Sequence, residues 1–554
     1  MADSPARASF RNSLSEALAT SDLRRLLLSW TAVSVGTWTF FIVLSVYAYD
    51  QGGVAAVGVA ALVRMVPAGL AAPVAGVIVD RSSRRDVLLL STIGRALVLA
   101  VTAAAVAAEA PLALVFALGA VYTLLYTAHV PAQAALLPAI AETPRQIAAS
   151  NAVFTSVDSA GFFAGSLLSG VLLAGTSMQT AFLVTAVLLA LAAWPLTRIR
   201  RDPVPDYRAH EGATERPVVE LVSGFRTVTG DPRLRLLVGV YASANLIEGA
   251  ADVLIVLMAL ELLDLGDSGV GWLHSAWAIG GTAAGAAAIT LLGRGRLAAG
   301  LVGGLILAGL PLVVVAAAPE VSVAVAMLVI LGVGFALIEI ANLTLLQRLT
   351  SDDLLGRAFA VMESSYWVAG GIGAIIAPPL VSLLGLRGAL VAVGCCLPLV
   401  AALRWASLAR FEAGAPIPER AFGLLRRVAL FAPLPIGTLE NLSRRLTEVD
   451  VPLGEPLVRE GEAGERFYVI ADGRFDVMSS RGRFPPLAEG DVFGEIALLH
   501  DVPRTATVTA RTDSTVLALD RDSFLSAVGG HRYSARTADR LATEREERTP
   551  TPLG

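Results

Sequence analysis

The feature that most constrains this chain is a series of long apolar segments between residues 26 and 409. A helix crosses the hydrocarbon layer of a bilayer in about 20 mostly apolar residues. Charged residues make up only 16% of the chain, whereas they make up about 25% of soluble globular proteins. We therefore predict an all-α polytopic membrane protein in this part of the chain. The twelve predicted transmembrane helices are 26–49, 54–79, 87–108, 112–133, 151–174, 179–197, 234–261, 269–292, 297–318, 322–346, 358–384 and 389–409.

The connectors between these spans alternate in charge. One set carries Arg81, Arg84, Arg85, Arg145, Arg198, Arg200, Arg201, Arg294, Arg296, Arg348, Arg357 and Arg410. The other set carries Asp50, Glu109, Asp264, Asp267 and Glu320, with Arg387 as its only arginine. Because arginine-rich loops stay in the cytoplasm, both termini are predicted to lie there, in a plasma or inner membrane. The first span is too long for the core of a signal peptide, so it is expected to be retained.

The longest connector, 198–233, divides the spans into an N-terminal half (26–197) and a C-terminal half (234–409), preceded by a cytoplasmic leader (1–25). The two halves repeat each other weakly, since "PRQIAASNAVFTSVDSAGFFAG" leads into the fifth span and "DDLLGRAFAVMESSYWVAGGIGA" leads into the eleventh. Internal repeats of this kind are typical of carriers in which two bundles rock around a site at the midplane.

A motif at the end of the second span, "GVIVDRSSRR", contains Gly76, Asp80, Arg81, Arg84 and Arg85. It resembles the signature of the major facilitator superfamily in the loop between helices 2 and 3, with a serine where glycine is usual. The resemblance covers about 26–409, is closest to the exporter-like branch, and implies that this loop gates the carrier. We expect Gly76 to permit close helix packing. A simple stop cluster of positive charge would explain the arginines alone.

Ionisable residues inside the predicted spans are candidates for coupling or substrate binding, because burying a charge in a bilayer is costly. They are Glu248, Asp252, Glu339, Asp158, Glu363, Arg64 and Arg95. Glu248 and Asp252 are expected on one helix face, and the two arginines could neutralise carboxylates. Glu339 and Glu248 suit a proton carrier best, because they lie deep in their spans. The alternative is that each residue only pairs with a neighbouring helix or lies near a water-filled vestibule.

From about residue 421 apolar residues alternate and glycines mark frequent turns, which predicts a small soluble β-roll with helices at its ends. The stretch "FGEIALLHDVPRTATV" matches the motif of the cyclic nucleotide-binding domain family in every element and in spacing. A soluble domain (421–546) is therefore predicted after a short linker (410–420), with a disordered tail (547–554). Homodimerisation through this domain is left open.

The chemistry of this motif suits a cyclic phosphate diester. Arg504 supplies a charged planar fork for the phosphate, and Glu495 can accept the ribose hydroxyl. Glycine lets the backbone approach, and the amides after it can form an anion nest. The resemblance implies the binding set Gly494, Glu495, Ile496, Ala497, Leu498, Arg504, Thr505 and Ala506. Thr505 occurs in relatives that respond to cGMP and also in domains that bind cAMP. We favour cAMP as the commoner bacterial messenger, and cGMP stays open. The alternative is a degenerate roll that binds nothing.

We therefore expect a secondary active transporter, a proton-coupled exporter of small molecules, regulated by cAMP at its cytoplasmic C-terminal domain. The alternatives are a membrane receptor that senses the nucleotide without transport and a lipid flippase on the same fold. No P-loop, kinase or cyclase motif and no cluster of metal ligands occurs in the sequence, so neither an enzyme nor a covalent cofactor is expected. A net charge of −4 gives no basis for a nucleic-acid partner.

Overall fold

The computed structural model describes residues 18–141, 144–199, 225–226, 228–292, 297–350, 352–413, 419–428, 430–431, 434, 436–480 and 482–529. The chain forms two compact units, a helical unit (Met1–Leu346 with Gly356–Phe411) and a C-terminal unit (Gln347–Leu355 with Glu412–Gly554). Most of the predicted leader 1–25 and of the connector 198–233 lies outside the described residues, as does the tail 547–554. The predicted domain bounds stay predictions.

The helical unit consists of long apolar helices. Their bounds are α1 Ser21–Arg81, α2 Arg84–Ala107, α3 Leu112–Thr127, α4 His129–Ile140, α5 Pro144–Gly175, α6 Met178–Thr197, α7 Pro232–Leu257 with a π-helix at Met258–Leu262, α8 Gly266–Leu292, α9 Leu297–Ala317, α10 Val321–Leu349 and α11 Asp352–Ala413. Within the described residues, nine stretches are long and apolar enough to cross a membrane. The predicted class, a polytopic α-helical membrane protein, is confirmed.

Two of the helices, α1 and α11, are much longer than a bilayer requires. A straight helix of 61 residues, the length of α1, would extend about 90 Å, three times the thickness of a hydrocarbon core. Gly53 interrupts α1 with a φ of 62°, and Gly385 interrupts α11 with a φ of 69°. Both glycines fall between predicted spans. Glycine suits these breaks because it adopts a backbone with positive φ at little cost. The total of twelve spans stays a prediction.

Glycines allow several of these helices to pack with their backbones in contact. A Cβ atom added at Gly280 would collide with the carbonyl of Val329, which brings α8 against α10. A Cβ at Gly373 would likewise collide with the carbonyl of Leu246, on α7. These two glycines therefore serve close helix packing. Gly76 differs, since a Cβ there would meet no heavy atom of the described residues within 4 Å, so these residues do not show the close packing expected at that glycine.

The C-terminal unit contains the predicted β-roll. Its strands are β1 Thr447–Val451, β2 Pro456–Val458, β3 Arg466–Asp472, β4 Arg474–Ser479, β5 Gly482–Ala488, β6 Val492–Phe493, β7 Thr507–Ala510 and β8 Ser514–Asp520. They form two antiparallel sheets of four strands, in the orders β1-β8-β3-β6 and β2-β7-β4-β5. Short helices accompany the sheets: α12 Glu419–Arg427, α13 Ile436–Arg445, α14 Glu495–Leu499 and α15 Arg521–Gly529.

Aromatic side chains hold the helices of this unit to the first sheet. Phe467 of β3 stacks on Phe524 of α15 with ring centroids 4.7 Å apart, and Phe431 meets both rings edge-on. All three side chains are fully buried. Burial of large aromatic side chains contributes strongly to core stability, so the segments before and after the sheets are anchored to the same core. This leaves the other face of the roll available for a site.

Candidate functional sites

A cavity of about 310 Å³ opens in the C-terminal unit between α14 and the start of β7. Its wall includes seven of the eight residues predicted to bind nucleotide: Gly494, Glu495, Ile496, Ala497, Arg504, Thr505 and Ala506. Leu498 does not reach the cavity, because its side chain packs into the core with Phe467 and Phe524. Its predicted place in the pocket is therefore wrong for the side chain.

Arg504 is the main charge of this cavity, and its side chain is buried, with 6% of its surface exposed. The guanidinium donates hydrogen bonds to the backbone carbonyls of Gly494, at 2.9 Å, and Arg466, at 2.7 Å. Burial lowers the pKa of the Arg504 guanidinium, but arginine remains charged in proteins. Among the described residues, no carboxylate lies within ion-pair distance of it. A buried cation without a counter-charge is costly, so the cavity favours an anionic ligand.

The backbone around Arg504 leaves no room for larger side chains. Gly494 has a φ of 91°, and a Cβ there would meet the Arg504 guanidinium and the Arg466 carbonyl. A Cβ at Gly464 would meet the side chain of Ala497. Glycine and alanine at these positions are therefore needed for the guanidinium to lie where it does. Glu495 is also buried, at 4% exposure, and it lies on the same wall.

The opposite wall of the cavity is apolar and was not predicted. Val477 of β4, Phe484 and Leu487 of β5, and Val458 of β2 contribute it. An ionic end and an apolar end in one cavity suit a ligand that carries a phosphate at one end and a flat ring at the other. The only available signal in the sequence was the alternation of apolar residues in these strands, which predicts the sheet but not the cavity.

A second cavity, of about 370 Å³, lies between the two halves of the helical unit. Six of the seven predicted membrane candidates line it: Asp158, Glu248, Asp252, Glu339, Glu363 and Arg64. They come from α1, α5, α7, α10 and α11, so elements far apart in sequence meet here. Glu248 and Asp252 share a helix face, as predicted.

Arg64 and Asp252 form an ion pair across the halves, with 2.9 Å between Nη2 and Oδ2. His274 of α8 lies 3.1 Å from the other carboxylate oxygen of Asp252. The sequence indicated that Arg64 could neutralise a carboxylate but did not identify which one, because Asp252 follows 188 residues later. His274 was not predicted, since a single histidine in an apolar helix gives no pattern.

The remaining carboxylates of the cavity have weaker partners or none. Asp158 accepts a hydrogen bond from the Ser34 hydroxyl at 2.8 Å, and Glu363 accepts one from the Trp367 indole at 3.1 Å. Neither Glu248 nor Glu339 has a hydrogen-bond or ion-pair partner among the residues that the structure describes. Simple pairing with a neighbouring helix therefore does not account for these two glutamates.

Arg95 does not reach the cavity, so its predicted role beside the carboxylates is wrong for this conformation. Its side chain is fully buried, where it contacts the Thr37 hydroxyl and His129 Nδ1, each at 3.3 Å. The guanidinium also lies 5.1 Å from the centre of the Tyr126 ring. These contacts connect α2 to α1, α3 and α4, so Arg95 stabilises the N-terminal half.

The predicted gating motif lies at the turn between α1 and α2. Arg85 donates to the backbone carbonyls of Leu196, at 3.1 Å, and Thr197, at 2.7 Å, at the end of α6. Arg81 is exposed and Arg84 is half-buried. The side chain of Asp80 lies outside the described part of the chain. The motif therefore ties the loop to a neighbouring helix end, and its gating role stays a prediction.

Comparison with known proteins gives a match for each unit. The model of the Major Facilitator Superfamily matches residues 26–373, and that of the cyclic nucleotide-binding domain matches residues 448–531. A solved structure of a POT family transporter, in complex with a thioalcohol-conjugated peptide, has a TM-score of 0.57. The two chains are 13% identical, and the matched region covers 70% of this chain and 96% of the transporter chain.

Two curated relatives match the C-terminal unit. The cAMP-dependent protein kinase regulatory subunit of Yarrowia lipolytica is 38% identical over 109 residues, which are 19% of this chain and 29% of that protein. The protein of the same name from Aspergillus niger is 34% identical over 107 residues, again 19% of this chain and 26% of that protein. The chain therefore spans less than a third of the length of these relatives.

Proposed function

The chain belongs to the major facilitator superfamily and carries a C-terminal cyclic nucleotide-binding domain, and from that premise we propose that it is a secondary active transporter regulated by cyclic nucleotide. More finely, we propose a proton-coupled exporter of small molecules in a plasma or inner membrane, with both termini in the cytoplasm. The regulatory ligand is cAMP, bound in the cavity around Arg504 and Glu495. Coupling of nucleotide binding to transport is part of this proposal.

The buried guanidinium of Arg504 is the observation that carries the regulatory part. It has two backbone carbonyls as acceptors and no carboxylate within ion-pair distance in the described residues. A phosphate monoanion would supply the missing charge through charge-assisted hydrogen bonds. Glu495 lies on the same wall, where it could accept a ribose hydroxyl. Identity of 38% to a protein whose name states cAMP dependence favours cAMP over cGMP.

The cavity between the halves supports the transport part. Carboxylates within membrane spans are costly unless they serve a solute or an ion. Glu248 and Glu339 lack partners in the described residues and line the same cavity, so they are our candidates for proton binding. The arginine-rich connectors support the cytoplasmic placement of the nucleotide pocket. A messenger made inside the cell could then reach it.

The test uses the full-length protein. Calorimetric titration in detergent with cAMP and cGMP measures nucleotide binding. Proteoliposomes that enclose a pH-sensitive dye then report proton movement on addition of cationic, neutral or anionic organic solutes, with and without cAMP. We expect saturable cAMP binding and a solute-dependent proton flux whose rate changes with cAMP.

Each alternative predicts a different result. A receptor that does not transport would bind cAMP but show no proton flux with any solute. A flippase would instead move labelled lipid between leaflets and ignore soluble compounds. No binding of either nucleotide at millimolar concentration would contradict the regulatory proposal. The Arg511→Ala variant is a matched control, because Arg511 is an exposed arginine outside the cavity and should keep the cAMP effect.

A further inference from the structure

The wall of the membrane cavity carries a large excess of negative groups. Among the described residues, five carboxylates line it against one guanidinium, which leaves a formal excess of four negative charges when all are ionised. The guanidinium, that of Arg64, is already engaged at 2.9 Å by Asp252. Within the described part of the chain, Asp158 accepts from the neutral donor Ser34 and Glu363 from the neutral donor Trp367. The lining residues that the structure describes therefore offer an anionic solute no cation that is not already paired.

The excess carboxylates act on one another as well as on a solute. Asp158, Glu248, Asp252, Glu339 and Glu363 all line this one cavity. Like charges that share a site oppose one another's ionisation. Either bound protons or a cation must balance them, so the entry of a cation and the departure of protons are two sides of one exchange. A carboxylate site of this kind can alternate between bound protons and a bound cation.

Aromatic rings connect the same wall from one half to the other. Trp38 of α1 lies 4.2 Å from Phe162 of α5, measured between ring centroids. Phe162 meets Trp277 of α8 at 6.0 Å, and Trp277 meets Phe335 of α10 at 5.5 Å. All four residues line the cavity. Ring faces attract cations most strongly where water is excluded, and they also bind flat apolar groups.

We propose that the transported substrate is an amphipathic aromatic cation, held by the excess carboxylates and the four rings. This inference rests on the proposed transport function and specifies its substrate class. Charge and ring contacts favour the same ligand independently, since an aromatic anion would meet only the rings and a small inorganic cation only the carboxylates. A neutral aromatic compound would leave the carboxylate excess uncompensated.

The experiment compares three probes with the same two-ring skeleton. They are N-methyl-4-phenylpyridinium, which is cationic, 4-phenylpyridine at pH 8, which is neutral, and biphenyl-4-carboxylate, which is anionic. Binding to the full-length protein in detergent is measured by equilibrium dialysis. We expect the cation to bind saturably and at least tenfold more tightly than either analogue. Equal affinities for the three probes, no saturable binding of the cation, or tighter binding of the carboxylate would overturn the inference.

Variants locate the site. Glu339→Gln and Glu363→Gln each remove a charge and keep the shape of the side chain, and each should raise the Kd of the cation at least tenfold while changing that of the neutral analogue by less than threefold. Glu320→Gln is the matched control, because Glu320 lies in the turn before α10 and does not line the cavity. Cation affinity that is unchanged in both cavity variants, or lowered equally in Glu320→Gln, would overturn the assignment.

Failure of this inference differs from failure of the transport proposal. Saturable cation binding without flux of the radiolabelled cation into proteoliposomes would uphold the site and contradict transport. Flux of the carboxylate probe, with none of the cation, would uphold transport and contradict the substrate class. Flux of the cation that is lost in Glu339→Gln and retained in Glu320→Gln would support both.

Discussion

Replacement of Arg504 by alanine is the sharpest test of the nucleotide pocket. The guanidinium is 6% exposed and fixed by two backbone carbonyls, so it is already oriented before a ligand arrives. A hydrogen bond to a charged group contributes about 1.5–3 kcal/mol, and truncation of one member of a buried charge pair costs about 2–5 kcal/mol. We expect Arg504→Ala to weaken cAMP binding by about 3–4 kcal/mol, which is a hundredfold to thousandfold rise in Kd.

The same substitution also affects the fold of the roll. Alanine removes the donors to the carbonyls of Gly494 and Arg466, and a buried acceptor without a donor costs about 1–3 kcal/mol. Because Gly494 lines the cavity, water can replace the guanidinium at its carbonyl, so the lower end of that range is expected. Thermal unfolding of the variant without nucleotide should show a small loss of stability, and calorimetry is then performed well below its Tm. Arg504→Lys keeps the charge and loses the planar fork, so its Kd should lie between those of wild type and alanine.

Arg511 provides the control for a general effect of arginine removal. It lies just after β7, its side chain is 55% exposed, and its guanidinium lies 3.9 Å from the Asp476 carboxylate, outside the cavity. Arg511→Ala should bind cAMP with the wild-type Kd. The reasoning is refuted if Arg504→Ala retains the wild-type Kd, or if Arg511→Ala loses as much affinity as Arg504→Ala.

Three further outcomes are expected. Glu495→Gln should raise the Kd of cAMP about tenfold and change that of 2′-deoxy-cAMP little, and an equal loss for both ligands would contradict the ribose assignment. Asp80→Asn should slow solute turnover in proteoliposomes without changing the Kd of the solute, and wild-type turnover would contradict the gate. Asp520 accepts from the Ser523 amide at 2.8 Å, and this bond lowers the pKa of the Asp520 carboxyl. Asp520→Ala should therefore cost about 1 kcal/mol of stability at pH 7. That difference should disappear as the pH falls through the lowered pKa, below about 4, in thermal unfolding of the full-length protein.

The nucleotide pocket was largely predictable because its ionic wall is almost continuous in sequence. Residues 493–508 contain the glycine, the carboxylate and the guanidinium, and a turn between α14 and β7 brings them together. The apolar wall was not predictable, because it comes from three separate strands that carry no motif. Leu498 was misassigned for a related reason: side chains in a short helix alternate between the cavity and the core, and the motif does not show which way each one points.

The sequence predicted most of the charged residues that line the membrane cavity, but it did not predict which of them pair with one another. The cost of burying charge identified every carboxylate that lines it. Pairing depends on which helices meet, and the ion pair between Arg64 and Asp252 joins residues 188 positions apart. Arg95 shows the limit of the same argument. Its charge is satisfied by a hydroxyl, an imidazole and ring faces within one half, and a sequence without an alignment does not distinguish that outcome from a place in the cavity.

The free energy of nucleotide binding differs from the free energy that couples binding to transport. The distinction matters because the nucleotide pocket and the membrane cavity belong to different compact units. The 3–4 kcal/mol assigned to Arg504 measures capture of the ligand by one unit. Regulation depends only on the difference in nucleotide affinity between two conformations of the carrier. A tenfold difference, about 1.4 kcal/mol, is enough for control. Linkage is reciprocal, so a solute whose affinity changes tenfold with cAMP must change the affinity for cAMP by the same factor. A Kd for cAMP that is identical with and without saturating solute would therefore exclude coupling at the level of binding, even if both cavities are filled.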